Sequence, residues 1–139
     1  MPKTIYVNLP VKDLAVATRF YEAIGCEKNE QFSDHQASSM VWSDTITFHL
    51  LSDDYFATFT PKKVADAHAT SEVLLALSRD SREEVDAIAE AAASAGGKAD
   101  TRERMDLGWL YNRSFEDPDG HVFEAVSVDM AAAPAEMKG

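Results

Sequence analysis

Residues 115–125 read FEDPDGHVFEA, and the turn at their centre sets the reading of the whole chain. Asp117-Pro118-Asp119-Gly120 is a reverse-turn sequence: proline presets φ, aspartate bonds nearby backbone, and glycine accepts positive φ. Residues 109–115 before it and 121–128 after it alternate in polarity as strands do. In the second strand Glu124 shares a face with Val122, Val126 and Val128, opposite His121, Phe123 and Ala125. A carboxylate among valines needs a metal, a cation or strong donors. Three roles stay open for Glu124: metal ligand, catalytic base, or a polar residue of the sheet paired with Arg113 or a lysine.

Upstream of this hairpin, VLLALSRD is an apolar strand followed by Ser81-Arg82-Glu83-Glu84, a capping-box pattern. Val85, Ile88, Ala89 and Ala92 form a helical stripe that Ala95-Gly96-Gly97 ends. A poorly defined polar segment at 98–105 leads into the hairpin. The N-terminal half repeats the order. IYVNLPV alternates with period two, Asp13 caps a stripe of Leu14, Ala17, Phe20, Tyr21 and Ile24, and Gly25 closes it. Strands are predicted at 27–32, 39–42 and 45–51, with a turn at Ser43-Asp44. The two caps lie 68 residues apart (81 − 13), about half the chain, which marks an internal repeat.

Each half therefore reads β-α-β-β-β. The fold class is α+β, with two tandem βαβββ modules at 1–58 and 71–129, a linker at 59–70 and a flexible tail at 130–139. The 139 residues suffice for one compact domain or two small modules sharing a core. A net charge of −11, from 24 acidic and 13 basic residues, argues against nucleic acid as a partner. The single cysteine, Cys26, excludes an internal disulfide and a cysteine-based zinc cluster. No apolar run approaches membrane-spanning length, and MPKTIYVNLP lacks a signal-peptide core, so no membrane partner and a cytoplasmic location are expected.

Alternation also sorts the remaining polar candidates. Tyr6 and Asn8 oppose Ile5, Val7, Leu9 and Val11; His49 joins Thr45, Thr47 and Leu51 opposite Ile46, Phe48 and Leu50. Glu72, Leu74, Ala76 and Ser78 oppose Val73, Leu75 and Leu77. Trp109, Tyr111, Arg113 and Phe115 share one face, an aromatic and cationic row that suits a ligand pocket, a packed sheet face or a dimer contact.

The stretches NLPVKDLAVATRFYEAIG at 8–25 and FEDPDGHVFEA at 115–125, set at the two ends of a βαβββ repeat, resemble the vicinal oxygen chelate superfamily. That group contains glyoxalase I, bleomycin-resistance proteins and extradiol dioxygenases. NLPVKDL, SREEVD and RSFEDPDGHVFE are most similar to its branch of predicted lactoylglutathione lyases. The resemblance implies curved mixed sheets around a cavity, a small-molecule substrate or ligand, and a homodimer. It also implies metal ligands on the first and last strand of each module, which fall on Tyr6, His49, Leu74 and Glu124.

Of these four, His49 and Glu124 carry suitable donors, whereas a phenol is a poor ligand and Leu74 has none. They are the candidate metal ligands and the candidate catalytic pair, with Tyr6, Asn8, Trp109, Tyr111 and Arg113 as ligand-binding candidates. One divalent ion (Ni²⁺, Zn²⁺ or Fe²⁺) completed by water and substrate is one reading of the cofactor, and no metal is the other. Without metal, Glu124, its pKa raised by apolar surroundings, takes a proton beside a carbonyl while His49 orients or reprotonates. Two functions follow: a lyase or isomerase acting on a small carbonyl or vicinal-oxygen compound, or a non-catalytic protein that binds an antibiotic or metabolite.

Overall fold

The first strand, β1 (Ile5–Val11), begins a chain that divides into two compact units between Thr70 and Ser71. The structure, a computed structural model, describes residues 2–137. In the first unit α1 (Leu14–Ala23) starts where Asp13 Oδ1 accepts the backbone N–H groups of Ala15 at 3.1 Å and Val16 at 3.2 Å. It ends in a Schellman motif: Gly25 N donates to Glu22 O and Cys26 N to Tyr21 O. That motif requires a left-handed residue, and Gly25 supplies it at φ +117°.

β2 (Glu27–Lys28), β3 (Ala37–Ser43) and β4 (Ile46–Ser52) complete a sheet of order β1-β4-β3-β2, with β1 parallel to β4. The helix packs on the face that carries Val11, Met40, Phe48 and Leu50, all buried together with Ala17, Phe20 and Tyr21. Each large apolar side chain removed from water there contributes about 1.5–3 kcal/mol. The predicted strand at 27–32 is shorter than expected. Asn29 accepts from Gln31 N and converts residues Glu30–Phe32 into a 3₁₀ turn. A further helix, α2 (Asp53–Ala57), is capped by Ser52 Oγ, which accepts from Tyr55 N.

The second unit repeats this plan. β5 (Leu75–Ser78) leads to α3 (Arg82–Ser94), where Ser81 Oγ accepts from Glu84 N at 3.1 Å. The reciprocal half of the capping box is replaced by an ion pair, because Glu84 meets Arg79 at 2.9 Å. β6 (Lys98–Ala99), β7 (Met105–Asp106), β8 (Leu110–Glu116) and β9 (Val122–Val128) form a sheet of order β5-β9-β8-β6, with β7 also on β8. β5 is parallel to β9, as β1 is to β4.

The DPDG turn between β8 and β9 forms as read. Asp117 Oδ1 accepts from Asp119 N and His121 N, both at 2.9 Å, and Gly120 has φ +90°. Phe115 and Phe123 then stack with centroids 5.3 Å apart on the side facing α3. After β9 the chain turns through Asp129, and Ala133 is buried. Among the described residues no helix is long and apolar enough to cross a membrane.

Candidate functional site

In the first unit the register sets Asn8 and Ser39 on either side of His49. Alternation puts all three on the sheet face away from α1. Tyr6 lies one pair along the strand, its ring centroid 5.3 Å from that of His49 and tilted by 32°. Tyr6 and Asn8 are exposed, whereas His49 is half-buried and Thr47 and Ser39 are buried. Burial lowers the His49 pKa from the ordinary histidine value. The imidazole is therefore neutral at neutral pH and keeps one ring nitrogen as an acceptor.

The corresponding face of the second unit is built around Glu124. In the register Ala76 is opposite Glu124, as Asn8 is opposite His49, so the repeat holds residue by residue. Glu124 Oε1 accepts from Asn112 Nδ2 at 2.8 Å and from Arg102 Nη2 at 3.0 Å. The same Arg102 nitrogen donates to Asn112 Oδ1 at 2.7 Å, which closes a three-residue ring. Arg102 arrives from the polar segment before β7. Its backbone N–H donates to Ser114 Oγ at 3.2 Å, and Thr101 Oγ1 donates to that oxygen at 2.7 Å. Among the described residues neither Arg113 nor a lysine is the partner of Glu124.

The row at 109–115 lies on the opposite face. Arg113, only 2% exposed, points toward α3, where it donates to Asp86 at 3.0 Å and Glu90 at 2.8 Å. It also donates twice to Asp100, from Nε at 3.0 Å and Nη2 at 2.9 Å. Tyr111 donates its hydroxyl to Asp86 at 2.7 Å, and the Arg82 guanidinium covers its ring at 4.1 Å. These bonds hold Asp86 and Asp100 below the usual carboxylate range and raise Arg113. Of the three uses this row suits, the packed sheet face describes Tyr111 and Arg113. Trp109 precedes β8, half-buried, and its carbonyl accepts from Asp129 N.

The residues that sequence reasoning missed are Arg102, Asn112 and Ser114. Alternation alone places Asn112 and Ser114 on the Glu124 face, because each is two residues from the other on β8 and Ser114 pairs with Glu124. Arg102 left no such signal.

A family model described as the Glyoxalase/Bleomycin resistance protein/Dioxygenase superfamily matches residues 3–125. The chain belongs to this superfamily. Solved structures agree on the fold. A hypothetical protein from S. aureus is 25% identical at TM-score 0.76, with 91% of this chain and 94% of that chain covered. A superfamily enzyme from Burkholderia phytofirmans is 19% identical at TM-score 0.73, covering 91% and 99%. The fosfomycin resistance protein FosX from Mesorhizobium loti is 18% identical at TM-score 0.66, covering 99% and 98%. Comparison with curated proteins finds no match. The likenesses are to the superfamily at large and do not single out the lactoylglutathione lyase branch.

Superfamily members often use a divalent metal ion, and the residues here fit one poorly. Leu74 is hydrocarbon, and the neutral phenol of Tyr6, whose ring lies against that of His49, is a poor ligand. Glu124 already faces the Arg102 cation at 3.0 Å, so a metal there would sit beside a like charge. Among the described residues no three His, Cys, Asp or Glu side chains converge as a metal site.

Proposed function

We propose that this superfamily member is a cytoplasmic small-molecule binding protein of the bleomycin-resistance type that works without a resident metal ion. The observation that carries the reading is the Arg102–Asn112–Glu124 ring. The one carboxylate at a late-strand ligand position is engaged by a guanidinium and an amide. Polar groups held in fixed orientation on a sheet face are what ligand recognition requires. A homodimer belongs to the same proposal. Ile5 and Tyr6 on the edge strand β1, and Val73 and Leu74 just before the edge strand β5, are exposed apolar side chains that a second chain would cover.

A panel of metabolites and antibiotics screened by thermal shift, followed by mass analysis of each hit after incubation, tests the proposal. A ligand recovered unchanged supports it. Turnover of the ligand supports a second reading, a lyase or isomerase acting on a small carbonyl or vicinal-oxygen compound. One observation favours that alternative: the lowered pKa of His49 leaves a neutral imidazole able to take a proton.

A further inference from the structure

From the donors left over on Arg102 we infer that this residue is the recognition group of the second unit and takes an oxyanion of the ligand, a carboxylate or phosphonate. The inference rests on the binding reading above and names the ligand class for it.

A guanidinium has five N–H donors. On Arg102, Nη2 serves Asn112 and Glu124, and Nη1 donates to the Glu103 carbonyl at 2.8 Å. Nε and the second Nη1 hydrogen meet no acceptor among the described residues. The side chain is 39% exposed, so solvent and a ligand can reach it. The group is also held in place. Ser114 Oγ fixes the Arg102 backbone, and Asn112 and Glu124 fix the far end of the guanidinium. An arginine oriented by its own hydrogen bonds loses little freedom on binding, and with both Nη2 hydrogens spent its Nε–H is left to give a single charge-assisted hydrogen bond to a carboxylate or phosphonate oxygen.

Glu124 is then a positioning residue that orients Arg102 and partly neutralises it. The net charge of −11 opposes anions over the surface in general, so oxyanion binding depends on this local cation. The assignment gives the two side chains effects of opposite sign. Removing the guanidinium weakens an oxyanion, whereas removing the Glu124 charge while keeping its shape strengthens it.

Methylphosphonate and acetate, titrated at constant ionic strength into isotopically labelled protein, are the probes, with acetamide as the neutral match. The expected result is a saturable shift of the Arg102 Nε–H signal with both anions and none with acetamide. Affinity for the anions should fall about tenfold in R102Q, the loss of a charge-assisted bond, and rise in E124Q. If R102Q does not fold, E124Q carries the test through its sign. Equal response to acetamide, unchanged affinity in R102Q, or weaker binding in E124Q overturns the assignment. Those results would leave the binding reading standing; a compound panel without any binder would overturn that reading and the assignment with it.

Discussion

Arg113 and Asp100 are joined by two parallel hydrogen bonds, Nε to Oδ1 at 3.0 Å and Nη2 to Oδ2 at 2.9 Å. The arginine is buried beneath α3, and Asp100 holds a left-handed backbone at φ +55°. Such a conformation is uncommon outside glycine, asparagine and aspartate. The pair ties the segment after α3 to the middle of β8. R113A should therefore lower stability by about 3 kcal/mol, because it leaves a cavity and carboxylates without their cation. Denaturant unfolding of the variant measures it. D100N, which tolerates the same backbone, should cost less.

The same pair predicts sensitivity to acid. Hydrogen bonds from Arg113 and Arg104 depress the Asp100 pKa, and those from Tyr111 and Arg113 depress that of Asp86. A carboxyl depressed in the folded state contributes stability that is complete above its unfolded pKa, about 3.9. That contribution is lost as pH falls through the lower folded value. Urea midpoints should decline gently below about pH 6.5, where His49 takes a proton more readily in the unfolded chain, and fall more steeply below about 4. The fall should be shallower in D100N.

Local signals in the sequence carried most of the fold. Asp13, Ser81, Gly25 and the DPDG turn each act through neighbours a few residues away, and each forms as its chemistry dictates. The site was legible only in part. Glu124 was marked by its valine surroundings, but Arg102 reaches it across 22 residues from a segment without periodicity. The direction of Arg113 was hidden for another reason. Residues 111–115 are buried on both faces of β8, so alternation of polarity cannot tell the helix side from the other. Helix α2 was missed because its five residues are too few for a periodic stripe.

At the hairpin, Gly120 is buried with φ +90°. G120A should cost about 1–2 kcal/mol through the left-handed backbone alone. D117A removes the acceptor of two backbone N–H groups and should cost about 1.5–3 kcal/mol. Thermal unfolding with both variants checks the order. Loss of two-state behaviour would show that the turn also sets the β8–β9 register.

For His49, burial as the cause of its low pKa gives a direct expectation. Its ring protons should titrate by NMR below the ordinary histidine midpoint of about 6.5. Replacing the aromatic neighbour, as in Y6A, admits water and should raise the midpoint toward that value. A midpoint at or above the ordinary value in the unmodified protein would contradict the assignment.

The most direct test of the central claim, that the Arg102 guanidinium engages Glu124 in place of a metal ion, is calorimetric titration. Tag-free, chelator-treated protein would be titrated with Ni²⁺, Zn²⁺ and Fe²⁺. The Arg102–Glu124 pair predicts no saturable binding at micromolar concentrations. One-to-one binding abolished by E124Q or H49Q would contradict it.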